Sequence, residues 1–107
     1  ALDDVAFRSL FSGSPVKRTG RDRFVRNALV AAGNSGDDTL VPACRRLLDD
    51  AAPVVRGAAV WALSRLLPTQ DFLALAAALA ADAEQSVREE WQAACAAART
   101  GNDREFA

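Results

Sequence analysis

Histidine is missing from all 107 residues of this chain. That removes the usual general base of acid–base catalysis and the commonest metal ligand together. Cysteine occurs twice, at Cys44 and Cys95, with no C-x-x-C spacing, so no thiolate set for zinc or an iron–sulfur cluster exists in the chain. Both cysteines fall at apolar positions of predicted helices. Buried free thiols in a reducing cytosol are the reading taken, and sequence alone leaves a disulfide between them open. No apolar run is long enough for a membrane span and no signal peptide is visible, so a cytoplasmic location without a membrane partner is expected. Methionine is absent even at residue 1, and we read the chain as an excised piece of a longer protein.

What is present is apolar and helical. Half the residues are hydrophobic, while the six glycines and four prolines cluster between apolar runs, a composition that folds and is not disordered. At this length the chain is one domain. The net charge is only −1, yet residues 1–26 carry six cations against three acids, and the remainder is acidic. That asymmetry points to a polyanion partner for one face. Lys17, Arg18, Arg21, Arg23 and Arg26 fall within ten residues, with Asp22 the lone acid among them.

Along the chain, Asp3 or Asp4 is expected to cap a short helix with Phe7, Leu10 and Phe11 on one face, ended by Ser12-Gly13-Ser14-Pro15. A basic loop then leads into a helix from about Arg21 to Ala32, closed by Gly33-Asn34-Ser35-Gly36. Asp38 or Thr39 opens the next helix, with Leu40, Cys44, Leu47 and Leu48 on its apolar side. Pro53 is a first-turn proline, and Val55, Ala58, Ala59, Ala62, Leu63 and Leu66 form the stripe of the helix that follows. Pro68 stops it. Residues 70–81 form an Ala/Leu-rich helix. Ser86-Val87-Arg88-Glu89 reads as a capping box for the last helix, whose inner face is Val87, Trp91, Ala94, Cys95 and Ala98. The tail beyond Gly101 is expected to fray. The organisation is therefore residues 1–19 as a short helix and basic loop, 20–100 as repeats, and 101–107 as tail.

The repeat is legible in the one sequence. Val25-Arg26, Val55-Arg56 and Val87-Arg88 open successive helices at offsets of 30 and 32 residues. Ala32, Ala62 and Ala94 keep the same register, as do Leu29, Ala59 and Trp91. No such unit can bury its stripe alone, so the units must stack. The pattern, with AAPVVRGAAVWAL around Pro53 as its clearest instance, resembles HEAT-like repeats. It implies an all-α solenoid, right-handed, of about three antiparallel helix pairs.

A narrower resemblance rests on SPVKRTGRDRFVRNALVAAGNSGD (residues 14–37), VRGAAVWAL and VREEW. Together these are similar to the C-terminal region of bacterial epoxyqueuosine reductases. Those are cobalamin-dependent enzymes with two 4Fe–4S clusters that complete queuosine synthesis on tRNA. The resemblance implies a parent oxidoreductase with upstream catalytic domains, and tRNA, at its anticodon region, placed against this part. The chain itself has no cluster cysteines and no corrinoid domain, so no catalytic, cofactor or metal residue is assigned here. Two rivals stand beside it: a protein-binding HEAT scaffold docking an acidic partner, and a phycobilin-lyase-type HEAT protein, which the lack of His disfavours.

The candidate nucleic-acid contacts are Ser14, Lys17, Arg18, Arg21, Arg23, Arg26 and Asn27. Guanidinium and ammonium groups hold phosphate through charge-assisted bonds, against the plainer reading of a solvated basic face. Ser14 and Thr19 offer hydroxyl donors or merely cap turns, and Asn27 reaches a base edge or closes a loop. Arg56 and Arg88, at a repeated position, are expected to pair with acids or carbonyls of the neighbouring repeat, with Arg26 able to serve both roles. Trp91 is expected in the core; Trp61, off the stripe, is partly exposed and a candidate stacking surface. Asp37-Asp38, Asp49-Asp50 and Glu89-Glu90 sit at helix termini and form no catalytic dyad.

Overall fold

In the computed structural model the chain is described over residues 18–106, with side chains described for 20–100. Five α-helices follow one another: α1 (Arg18–Ser35), α2 (Val41–Arg46), α3 (Pro53–Leu66), α4 (Thr69–Leu79) and α5 (Gln85–Phe106). Single 3-10 turns, Asp38–Leu40 and Leu47–Asp49, extend α2 at both ends. There is no strand among the described residues, and the architecture is the expected all-α stack. The short helix expected over residues 3–12, with its Phe7, lies outside the described residues, as do Ser14 and Lys17.

The long helices α1, α3 and α5 make the most extensive contacts, with α3 between the other two, while α2 packs on α3 and α4 on α5. α1 and α3 run in the same sense, since Arg21 meets Asp50 at one end and Gly33 meets Trp61 at the other. The repeat register is realised in the core. Val25, Leu29 and Ala32 of α1, Val55, Ala59 and Ala62 of α3, and Val87, Trp91 and Ala94 of α5 are all buried. The intervening helices add Cys44, Leu47, Phe72 and Ala76. Phe72 stacks on Trp91 with ring centroids 5.6 Å apart, tying α4 to α5. Trp91 is in the core as expected. Both cysteines are free and buried, and burial pushes the Cys44 thiol up to about 11.

Several boundaries differ from the sequence reading: α1 begins at Arg18 and not at about Arg21, and α4 ends at Leu79 and not at residue 81. α1 does not stop at Ala32. It runs through Gly33 to Ser35, whose hydroxyl donates to the Ala32 carbonyl, and only Gly36, at φ 70°, takes the left-handed conformation that ends it. Gly33 lies within the helix, and because a Cβ there would lie 2.5 Å from Cζ3 of Trp61, the glycine permits close approach of α1 and α3. At α5, Ser86 is already helical. The amides of Val87 and Arg88 donate to the Glu84 carbonyl, and the Asp82 carboxylate receives the Glu84 amide. Asp82 thus turns the chain ahead of the helix, and Ser86, already helical, is not the N-cap that the sequence suggested. The last helix also continues past Gly101 to Phe106.

Candidate nucleic-acid interface

The loop before α3 and the loop before α5 are built alike. Asp50 accepts the Ala52 amide as Asp82 accepts that of Glu84, and each turns the chain into its helix. Six residues on, Arg56 donates to the Asp50 carbonyl at 2.8 Å and Arg88 to the Asp82 carbonyl at 2.7 Å. Each carboxylate also takes a guanidinium from the preceding long helix. Arg56 grips Asp82 through Nε and Nη2 at 2.9 and 3.1 Å, and Arg21 grips Asp50 through Nη1 and Nη2 at 3.0 and 2.6 Å. The result is a ladder alternating side-chain and main-chain bonds along one edge of the stack. The guanidiniums hold the Asp50 and Asp82 carboxyls below the ordinary carboxylate range, and Asp50 in turn holds the Arg21 guanidinium firmly protonated.

Arg56 therefore takes the expected role across repeats, while Arg88 bonds a carbonyl of the loop that opens its own helix. Among the described residues Arg26 does not join them. The residue six before it is Gly20, already inside α1, so no loop carbonyl waits there, and the carboxylate of Asp50 is taken by Arg21. Arg21 has a structural partner that its place in a run of cations did not reveal. It also bonds Asp22 at 3.0 Å. The signal was present: Asp50 and Asp82 stand at the same distance before Arg56 and Arg88, and the first repeat lacks its aspartate.

Arg23, Arg26 and Asn27 are all exposed, and their i, i+3, i+4 spacing puts them on one face of α1. Arg26 donates to Asn27 Oδ1 at 3.2 Å. No acid lies in the first turn of α1, where Arg18 begins the helix. Cations at a helix N-terminus oppose the macrodipole, so this arrangement costs helix stability and concentrates positive potential. The Arg18 side chain lies outside the described residues.

Beside this face lies a groove of about 630 Å³ walled by α1, α3 and α5. Arg26 stands on one wall and Glu90 on the other, with Gly57 and Trp61 of α3 between them. Trp61 is partly exposed, as expected, and its ring carries the Arg65 guanidinium 6.0 Å from the centroid. Among the described residues, no cluster of His, Cys, Asp and Glu could hold a metal, and no helix is long and apolar enough to cross a membrane.

Stacked helix pairs locked by an arginine–aspartate ladder define a helical-repeat protein. The chain belongs to the HEAT-repeat family, whose model matches residues 19–97. It is 37% identical over 67 residues to an epoxyqueuosine reductase of Xanthomonas campestris, covering 61% of this chain and 19% of that protein. It is 31% identical over 72 residues to an uncharacterised Geobacillus stearothermophilus protein encoded in the gldA 3' region, covering 66% of this chain and 33% of that one. The chain thus spans about a fifth and a third of these relatives. No solved structure matches it.

Proposed function

We propose that this chain is a tRNA-contacting HEAT-repeat domain of an epoxyqueuosine reductase-like enzyme, holding RNA phosphates and leaving catalysis to other parts of its parent. The observation that carries the reading is the exposed Arg23, Arg26 and Asn27 face of α1, which continues a segment containing Lys17 and Arg18. Similarity to the Xanthomonas enzyme supports the choice of RNA as the polyanion. Arg21, bonded to Asp50, contributes to the local potential more than to direct contact. The two buried thiols do not amount to the ligand set of an iron–sulfur cluster, so cluster chemistry is assigned outside this chain.

If about four phosphates are neutralised, log K for tRNA falls with log[salt] at a slope of roughly −3. Filter binding of tRNA at several salt concentrations measures it. The Arg23→Glu/Arg26→Glu variant should keep its helicity and lose binding. Salt-independent binding, or full binding by the double variant, removes the basis of the proposal.

A further inference from the structure

The groove beside Arg26 has the composition of a site for something both anionic and amine-bearing. Its α3 side is apolar and low: Val54 is 49% exposed, Gly57 has no side chain, and part of Trp61 faces the space. Phe24, one repeat earlier than Val54 and at the same register, is 50% exposed and sits between Arg23 and Arg26 on α1. On the far wall Ser86 and Glu90 present a hydroxyl and a carboxylate. Glu90 Cγ is 4.0 Å from where a Cβ of Gly57 would stand, so this side chain lies beside the groove floor. Among the described residues that carboxylate has no hydrogen-bond or ion-pair partner, whereas Asp50 and Asp82 are tied into the ladder.

We propose that this groove takes one unstacked nucleotide of single-stranded RNA, its phosphate on Arg26, its base against Trp61 and Val54, and its exocyclic amine on Glu90. The inference rests on the RNA-contacting reading above and adds a base preference to it. The charge pattern selects the occupant. A cation on one wall fits phosphate. A carboxylate on the other accepts from the amine of cytosine but meets only the carbonyl O4 of uracil at that edge. The apolar strip between them offers sequence-tolerant contact to the face of a base. An acidic peptide, the other anionic candidate, would bring carboxylates against Glu90.

The test compares labelled hexacytidylate and hexauridylate by fluorescence anisotropy on the 107-residue chain. The expected result is at least fivefold tighter binding of hexacytidylate. Gly57→Leu should fill the floor from a position with open space around its Cβ, and should weaken hexacytidylate about tenfold while circular dichroism stays unchanged. Glu90→Gln, which offers a donor to O4 as well as an acceptor, should cut the preference below twofold even if the leucine variant misfolds. Equal affinity for the two hexamers, with Arg26→Ala weakening both, overturns the groove inference and leaves the phosphate-contact reading standing. Absence of binding to either hexamer and to tRNA overturns both. Displacement of hexacytidylate by an oligoglutamate peptide, lost in Gly57→Leu, replaces the nucleotide with a protein partner.

Discussion

Two glycines inside helices show how a residue's meaning depends on what stands opposite it. Gly33 and Gly57 both sit in helix interiors, where glycine costs about 1 kcal/mol relative to alanine. A methyl group at Gly33 would meet Trp61 Cζ3 at 2.5 Å and the Ala62 Cα at 3.2 Å, so either the ring or the α3 backbone must shift. Gly33→Ala is therefore expected to lower stability by about 1–2 kcal/mol, overpacking outweighing the helix-propensity gain. At Gly57 the nearest atom is a side-chain carbon at 4.0 Å, an ordinary contact. Gly57→Ala should raise stability by about 0.5–1 kcal/mol. Urea melts of the two variants decide the matter, and equal signs would contradict the close approach of α1 and α3. Sequence reading treats Gly33 as part of a helix stop, because the glycine's tryptophan neighbour lies 28 positions away.

At the scale of elements, the ladder joins each long helix to the loop that opens the next. Arg56 makes four hydrogen bonds, two to Asp82 and two to main-chain carbonyls, and its side chain is only 16% exposed. Arg56→Ala should cost about 1–3 kcal/mol through lost charge-assisted bonds and an aspartate left without its partner. Arg26→Ala, on the exposed face, should stay within about 0.5 kcal/mol while losing more tRNA affinity. The reverse ranking would place Arg56 in the interface. Acid should act on the same contacts. The Asp50 and Asp82 carboxyls are depressed below the ordinary 3.8, first of all by their arginine hydrogen bonds. Their contribution is complete above that value and fades as the pH drops through the lower folded values. Stability should be flat from neutral pH to about pH 5 and decline below pH 4, and the Asp50→Asn/Asp82→Asn variant should show a shallower decline. A decline of unchanged steepness would remove the ladder as its source.

For the molecule as a whole, cohesion comes from a core shared between repeats, since no single helix pair closes around its own apolar face. Phe72 is the clearest case. It is fully buried, belongs to α4, and stacks on Trp91 of α5. Phe72→Ala should destabilise by about 3–5 kcal/mol, as large-to-small core changes do. Circular dichroism and tryptophan fluorescence should then report one earlier, coincident urea transition. A C-terminal pair that melts apart while α1 and α3 persist would show instead that the stack is not one cooperative unit.

Periodicity and spacing by themselves determined the all-α repeat architecture, the Val25/Val55/Val87 register, the buried Trp91 and the basic character of the α1 face. Those features follow from local rules: a 3.6-residue apolar stripe, a first-turn proline, and a density of arginines are all properties of neighbours in sequence. Which arginine serves structure and which faces outward was decided only in three dimensions. Arg21 and Arg26 stand five residues apart in one cationic run, yet Arg21 meets the Asp50 carboxylate 29 positions later, while among the described residues Arg26 meets only Asn27. The groove was likewise invisible, because its walls come from three helices far apart in sequence, of which α1 and α3 are brought close where Gly33 meets Trp61. Charge and periodicity are written along the chain, but the pairing of a charge depends on distance across the stack, which only packing of the shared core fixes.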